Sequence, residues 1–300
     1  MAIVRETAAA GVDGIKLYVG LDPAWLPAMA DESHAANLKV SMHCGGGGLL
    51  AAGRAGVDEF YHLDGVLADI WPNHPAGWLE LWGLPEFNNT WDRQRQLADS
   101  LLSLGMTATP TLAYWDSQQR VRLPGYAHRT EIRDIPASLI GWQPGVSQGP
   151  ADAVQWQRAL AAAQRFVGLL LERNIPVLAG SDSPCGPVSP GNSLWRELAL
   201  LVEAGMSPEQ ALRAATAEAA AFLNHPELGR LSTGSAADLV FVRGNPLAQI
   251  PSQPEVTLVV QSGAIHHPKD LLAAAAAASL TLQADPDPWA VQFKDHWERT

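Results

Sequence analysis

The architecture is indicated first by residues 38–62, which read LKVSMHCGGGGLLAAGRAGVDEFYH. Two short apolar runs, 38–43 and 57–62, each end in a histidine, and a glycine run with a short helical pattern to Gly56 separates them. Apolar runs of this length are typical of buried strands. We therefore predict a strand–helix–strand unit with one histidine at the end of each strand.

The same alternation extends in both directions along the chain. A helix is expected to begin at Asp22, because Asp suits a helix cap and Pro23 suits the first turn. The segment from 62 to about 90 is expected to be rich in loops. Three more strands are predicted at 13–19, 106–112 and 175–181, and four more helices at 91–104, 152–174, 193–204 and 207–223.

Strands that alternate with helices imply a parallel sheet, either doubly wound or closed into a (β/α)₈ barrel. A doubly wound nucleotide-binding fold is disfavoured because no G-x-G-x-x-G follows any predicted strand. Five strand–helix units cannot close a barrel, so we expect a partial one. Residues 238–243 and 256–261 are predicted strands joined by the turn-forming Gly244-Asn245-Pro246, which indicates part of a small β domain.

Three regions are expected on this basis. Residues 1–230 form the partial barrel, 231–265 the C-terminal part of a β-sandwich domain, and 266–300 a helical C-terminal extension or tail.

Composition limits the classes of partner. The 300 residues carry a net charge of −11, with 47% hydrophobic residues and a pI of about 5.2. An acidic surface repels nucleic acid and anionic membranes, so a small-molecule substrate is expected. The opening residues lack an apolar leader, and no stretch is long enough to span a bilayer. Two cysteines, Cys44 and Cys185, favour a reducing compartment, and a cytoplasmic location is expected.

Four polar residues stand at the ends of predicted strands, where barrel enzymes carry their chemistry. They are Lys16, His43, His62 and Asp182. Each has an ordinary structural alternative: a lysine at a sheet edge, a histidine satisfied in the core, or an aspartate that caps a helix. Their coincidence at equivalent strand ends favours a common site.

The four side chains have a chemistry in common. Neutral imidazoles and carboxylates suit Zn²⁺ or a similar divalent ion, which activates water and polarises a carbonyl. A desolvated lysine loses its proton more readily, and its neutral amine reacts with carbon dioxide to give a carbamate. Such a carbamate at Lys16 can bridge two metals, so one or two ions are expected.

Aromatic and basic residues in two predicted loops have two interpretations. The rings either line a hydrophobic substrate pocket or pack the loops onto the barrel. Arg120, Arg122 and the pair His128-Arg129 are candidates to bind a substrate carboxylate. The rings are Trp71, Trp78, Trp82, Trp91, Tyr114, Trp115, Tyr126 and Trp142.

Several segments together resemble the amidohydrolase superfamily, in particular its imidazolonepropionase-like and prolidase-like members. They are GVDGIKLYVGLDP (11–23), LKVSMHCGGG (38–47), AGVDEFYHLDG (55–65), TATPTL (107–112), LAGSDSP (178–184), GNSLWRELALLVEAGMSPEQALRAAT (191–216) and GSAADLVFVRGNPL (234–247).

The resemblance implies a role for each candidate residue. Lys16 corresponds to the carboxylated lysine of the fourth barrel strand, and His43 and His62 to metal ligands on the fifth and sixth strands. Asp182 then ends the eighth strand, where it binds metal and moves a proton from the attacking water to the leaving nitrogen. Residues 106–112 take the place of the seventh strand.

The chain also departs from the family pattern. The family's His-x-His pair on the first strand is absent from the 300 residues, since His266 and His267 are adjacent and lie in the terminal β segment. Trp195 stands where relatives often have a histidine. We expect an incomplete inner metal site and a truncated chain. Its unpaired sheet edges could pair with those of a second copy, so a homo-oligomer is possible.

Two functional hypotheses follow. The first is a metal-dependent hydrolase of amide, cyclic amide or dipeptide C–N bonds. The alternative is a non-catalytic amidohydrolase-like remnant or assembly partner that lacks the His-x-His ligands.

Overall fold

The computed structural model describes residues 1–71, 79–123, 152–183, 185, 188–274 and 277. Within these residues the chain has an α/β fold with two separate sheets. The predicted aromatic residues Trp78, Tyr126 and Trp142, the pair His128-Arg129 and residues 278–300 of the expected tail lie outside this part of the chain.

The first sheet has four parallel strands in the order β1-β2-β3-β4. The strands are β1 (Gly14–Leu17), β2 (Lys39–His43), β3 (Glu59–Tyr61) and β4 (Thr107–Thr109). Because all four run in the same direction, their carboxyl ends share one edge. This confirms the predicted parallel sheet.

Helices connect the strands and follow the last of them. The helices are α1 (Ala2–Ala9), α2 (Leu26–Ala35), α3 (Leu49–Arg54), α4 (Asp64–Ile70), α5 (Trp91–Ser103), α6 (Leu112–Arg120), α7 (Ala153–Glu172), α8 (Asn192–Glu203), α9 (Pro208–Ala214) and α10 (Ala217–Phe222). Short 3₁₀ turns occupy Pro23–Trp25, Gly45–Gly47, Leu79–Gly83 and Pro85–Thr90. Two predicted helix starts are confirmed: Asp22 caps its turn through the Ala24 N–H, and Ser207 forms a reciprocal capping box with Gln210.

The predicted strand 175–181 is wrong as a full strand. Only Val177 forms a bridge, parallel to Ala108, with hydrogen bonds from Ala108 N–H to Pro176 O and from Leu178 N–H to Ala108 O. Pro176 has no N–H to donate to a ladder, which limits pairing on that side.

The prediction of one continuous helix over 207–223 is also wrong. The helix breaks at Thr216, whose backbone leaves the helical region at φ −133° and ψ −100°. Gly229 packs so closely on this point that an added Cβ would lie 2.5 Å from the Thr216 carbonyl carbon. Two further differences concern 62–90, which holds α4 and two 3₁₀ turns as well as loops, and residue 112, which begins α6 and does not end a strand.

The second sheet is antiparallel and has the order β5-β6-β7. Its strands are β5 (Leu239–Val242), β6 (Val256–Gln261) and β7 (Ala264–His266). The first two were predicted, and the third is added by a tight turn through Ser262 and Gly263, both at positive φ. Residues 268–274 are helical.

The main core lies between the parallel sheet and the helices. Its largest fully buried rings are Trp82, Trp115, Phe60, Phe87 and Phe166. The Trp82 ring lies 5.3 Å from the Trp115 ring and 5.8 Å from the Phe166 ring, both edge to face. Across the described ranges, no helix combines the length and the apolar character that a bilayer span requires.

Candidate functional site

His43 ends β2 at the carboxyl edge of the parallel sheet. Its Nε2 lies 2.7 Å from Asp64 Oδ2, and Asp64 begins α4. The other ring nitrogen, Nδ1, is buried without a hydrogen-bond partner. A carboxylate on one imidazole nitrogen fixes the ring and leaves the second nitrogen for another ligand. His43 is therefore held in place with one unsatisfied nitrogen.

His62 directly follows β3, with its backbone in the left-handed region at φ 65°. Its backbone N–H donates to Thr109 O at 2.9 Å, and its Nδ1 lies 2.8 Å from Thr111 Oγ1. Burial lowers the pKa of His62 to about 4, and the charge of nearby His43 acts in the same direction, against that of Asp182. At neutral pH the ring is thus uncharged, which is the form that binds metals.

The two imidazoles lie side by side. Their ring centroids are 4.4 Å apart at an interplanar angle of 70°. On the other side of His43, the Tyr18 ring lies edge-on at 5.0 Å. Tyr18 is half exposed, and burial together with the charges of Cys185 and Asp182 raises its pKa.

Lys16 lies one residue before the end of β1, in register with Ser41 of β2. Its ammonium nitrogen stands 4.6 Å from the centre of the Tyr61 ring, which is a cation–π distance. The Lys16 charge also acts on His62 and Cys185. The lysine therefore belongs to the same group, although its side chain is exposed.

Glu59 of β3 forms a buried network beneath this group. It is 2% exposed, and its carboxylate accepts hydrogen bonds from the hydroxyls of Ser41 and Thr109. Burial raises its pKa, while the hydroxyl groups of Ser41, Thr109 and Tyr61 and the charge of Lys16 act the other way. The network links strands β2, β3 and β4 next to Tyr61 and Lys16.

Asp182 follows the bridge segment at Val177 and has a left-handed backbone at φ 57°. Its carbonyl accepts a hydrogen bond from the Cys185 N–H at 2.8 Å. The Asp182 charge acts on Tyr18, His62 and Cys185. Asp182 is thus an electrostatic neighbour of the imidazole pair.

Both cysteines are free thiols near this edge. Burial raises the pKa of Cys44 to about 12, and burial together with Asp182 raises that of Cys185 to about 12. Neither thiol is activated as a nucleophile, because the thiolate form is disfavoured.

The structure resolves the described aromatic and arginine candidates mostly as packing residues. Trp82 and Trp115 are buried in the core, and Arg120 pairs with Asp116. Arg122 donates to Gln118 O. Trp195 packs against the main core from α8. His266 belongs to β7, in the second sheet.

The sequence did not indicate three polar residues of the site. Asp64 and Thr111 contact the imidazoles, and Glu59 accepts hydrogen bonds from Ser41 and Thr109. Asp64 had a local signal, because it follows His62 by two residues and begins a helix. Thr111 and Glu59 had none, since their contacts come from neighbouring strands.

Fold and site together define an α/β protein with paired imidazoles and a carboxylate at the carboxyl edge of a parallel sheet. The sequence model of the amidohydrolase family matches residues 14–268, and the chain belongs to that family.

Solved structures with a similar fold share little sequence. A bottromycin amidohydrolase is 24% identical, with a TM-score of 0.60 over 91% of this chain and 61% of its own. A Xaa-Pro dipeptidase with bound methionine is 21% identical, with a TM-score of 0.57 over 89% of this chain and 57% of its own. A putative prolidase from Bifidobacterium longum is 22% identical, with a TM-score of 0.55 over 93% and 63%.

This chain therefore spans about three fifths of the length of these solved chains. A search of curated proteins finds no significant match.

Amidohydrolases generally use divalent metal ions, and the site residues fit such an ion in part. The buried, unpartnered Nδ1 of His43 fits a metal ligand, and His62 supplies a neutral imidazole beside it. Across the described ranges, however, no group of three or more His, Cys, Asp or Glu side chains is arranged to hold a metal. These residues match two ligands of a metal centre.

Proposed function

We propose that this chain carries the site of a hydrolase that cleaves the C–N bond of small amides, with dipeptides and cyclic amides as the substrate class. The observation that carries the proposal is the imidazole pair, with ring centroids 4.4 Å apart, at the carboxyl edge of the parallel sheet in a member of the amidohydrolase family. Carboxyl ends of parallel strands are where such folds place their chemistry.

Each site residue has a proposed role. His43 and His62 would hold a divalent ion, with Zn²⁺ the first choice and one or two ions in total, and Lys16 would add an oxygen ligand as its carbamate. When bound, the ion supplies Lewis acidity and lowers the pKa of water. Asp182 would also bind the ion, and its carboxylate would take a proton from the attacking water and pass it to the leaving nitrogen. Asp64 orients the His43 ring through Nε2.

The substrate class draws on the names of similar structures, among them a Xaa-Pro dipeptidase and a bottromycin amidohydrolase. Their identity to this chain is below 25%, so they support the fold and suggest only the kind of bond. The proposed partner is a small-molecule substrate, with no nucleic acid or membrane. The protein could also assemble as a homo-oligomer.

We also propose a barrel architecture for the parallel sheet. The four parallel strands would be strands four to seven of a (β/α)₈ barrel, and the segment through Val177 would be the eighth. Residues 1–230 would form this barrel domain. Residues 231–265 would be the C-terminal part of a β-sandwich, and 266–300 an extension.

Metal content and turnover test the proposal on the purified full chain. Zinc, cobalt and manganese are added separately, and bound metal is measured by mass spectrometry after gel filtration. Hydrolysis is followed on a panel of Xaa-Pro dipeptides, N-acyl amino acids and cyclic amides. We expect the wild-type chain to retain metal and the double variant His43→Asn, His62→Asn to retain less. Turnover should fall at least about 100-fold in Asp182→Asn.

Asp99→Asn is the matched control. It removes an exposed carboxylate on α5 that pairs with Arg173, so metal content and turnover should not change. A chain that retains no metal and turns over nothing on the panel would instead support the alternative, a non-catalytic amidohydrolase-like protein.

A further inference from the structure

Thr111 has a backbone conformation that costs free energy. It connects β4 to α6 with φ 53° and ψ 47°, in the left-handed region, and its side chain is 3% exposed. A β-branched residue is an outlier there, because its Cβ substituents crowd the backbone. Strain of this kind persists only where the surroundings enforce it, and it concentrates at functional sites.

Glu197 of α8 holds the segment in place. Its Oε2 accepts the Ala113 N–H at 2.6 Å, and the Leu112 N–H also bonds to this carboxyl group. Thr111 gives α6 no side-chain cap of its own, so a side chain from another helix does this instead. With the first turn of α6 fixed, the backbone of Thr111 has little freedom.

The consequence of the strained conformation lies at His62. Thr111 Oγ1 stands 2.8 Å from His62 Nδ1, while the His62 backbone N–H donates to Thr109 O. Thr109 and Thr111, on either side of Pro110, therefore hydrogen-bond to the backbone and to the ring of the same histidine. His62 and Asp182 are also left-handed, so three of the seven non-glycine positions at positive φ in the described part of the chain belong to the candidate site. The other four are Asn37, Asn174, Asn224 and Ser262.

We propose that Thr111 is a positioning residue whose Oγ1 accepts a hydrogen bond from the Nδ1–H group of His62, which holds the ring in one tautomer with Nε2 unprotonated. A neutral imidazole has one donor and one acceptor nitrogen, so fixing the proton on Nδ1 makes Nε2 the lone-pair nitrogen. That is the nitrogen form needed to bind a metal or to accept a proton. The inference rests on the proposed function insofar as His62 acts in the site.

The tautomer is read directly by long-range ¹H–¹⁵N spectra of the full chain labelled with ¹⁵N-histidine, near neutral pH. The signal of His62 is assigned as the one missing in His62→Gln. In the wild-type chain, we expect Nδ1 at the shift of a protonated nitrogen and Nε2 at that of a bare one.

Two substitutions of Thr111 form the matched pair. Thr111→Val keeps shape and β-branching but has no hydroxyl, and we expect the His62 signals to move to the Nε2–H tautomer or to an average of both. Thr111→Ser restores the hydroxyl and should restore the wild-type pattern. Far-UV circular dichroism and the melting temperature check the fold, and Thr111→Ala replaces the valine variant if that variant does not fold.

An unchanged His62 spectrum in Thr111→Val, or an Nε2–H tautomer in the wild-type chain, overturns the inference. Neither readout depends on turnover. A chain that hydrolyses nothing but shows the expected tautomer change therefore contradicts the proposed function and still supports the role of Thr111.

Discussion

Glu197 is a carboxyl group that has no contact with solvent. Burial raises its pKa to about 8, and the N–H groups of Ala113 and Leu112 offset only part of that effect. Its Oε1 is buried without a partner, which suits a protonated oxygen better than a charged one. Between its ordinary pKa and about 8, the folded chain holds this proton while the unfolded chain releases it.

A pH-dependent stability difference follows for Glu197→Gln. Because the folded-state pKa is raised, Glu197 destabilises the fold increasingly as pH rises from about 5 to about 8. The glutamine amide still offers an oxygen to the Ala113 N–H but never ionises. The free energy of unfolding of Glu197→Gln relative to wild type should therefore increase over this range in urea titrations. The exposed neighbour Glu203 supplies the control variant Glu203→Gln, and equal trends for both variants would contradict the argument.

Two aspartates on α4 have separate tasks. Asp64 binds the His43 ring, whereas Asp69 accepts the N–H groups of Leu49 and Leu50 and so caps α3. Gly48, at φ 79°, lies so close to Asp69 that an added Cβ would lie 2.9 Å from its Oδ1. One carboxylate serves the site and the other serves the fold.

We expect substitutions of the two aspartates to separate these tasks. Asp64→Asn should weaken zinc binding about 10- to 100-fold with little change in melting temperature, since it weakens the partner that orients a ligand. Asp69→Ala should cost about 1 kcal/mol of stability, as loss of a helix cap does, without changing zinc affinity. Chelator competition and urea unfolding measure the two effects. Unchanged zinc affinity in Asp64→Asn would argue against His43 as a ligand.

The sequence predicted which histidines meet at the carboxyl edge of the sheet better than it predicted the residues that orient them. The positions of His43 and His62 at this edge could be predicted because each ends an apolar run, and a strand end is visible locally. Thr111 and Glu197 were not found, because their roles depend on a left-handed turn and on a contact between residues 84 apart in sequence. Local residue propensities predict neither the left-handed turn nor the long-range contact.

At the scale of elements, α7 forms one side of the core. Asp152 caps it through the Gln155 N–H. Its buried residues include Phe166, which contacts Trp82, while Val154 on the same helix is 51% exposed. Burial of one apolar face is therefore the main stabilisation of this helix.

Truncation of the buried and exposed positions should have very different effects. Phe166→Ala should destabilise the chain by about 3–5 kcal/mol, because it loses transfer free energy and leaves a cavity beside Trp82. Val154→Ala should change stability by no more than about 0.5 kcal/mol. Urea titrations followed by tryptophan fluorescence measure both. Similar losses for the two variants would place Phe166 outside the core.

The two elements that were wrongly predicted have different causes. Residues 175–181 have strand composition, yet Pro176 leaves a single bridge at Val177. Residues 207–223 have helical periodicity, yet the chain turns at Thr216, where Gly229 packs on the backbone. Pro176 lies within the segment that it disrupts, whereas the contact at Thr216 comes from a different segment, which patterns of local preference do not report.

At the scale of the whole molecule, the two sheets differ in how they are buried. Strands β2, β3 and β4 consist mostly of buried residues. All residues of β5, β6 and β7 are exposed or half-buried, and Val240, Phe241 and Ile265 are about half exposed or more. The site is thus carried by the sheet with the stronger packing, which keeps its imidazoles in place.

This contrast predicts unequal local stability. Backbone hydrogen bonds backed by few buried contacts open without global unfolding, so amides of β5–β7 should exchange with solvent at least about tenfold faster than those of β2–β4. Hydrogen–deuterium exchange with mass spectrometry measures both sheets in one experiment, and peptides from α7 serve as the slow reference. Phe241→Ser should speed exchange in β5–β7 while leaving β2–β4 unchanged. If both sheets instead exchange at the same rate and respond together to Phe241→Ser, they unfold as one cooperative unit, and the burial difference does not set their stability.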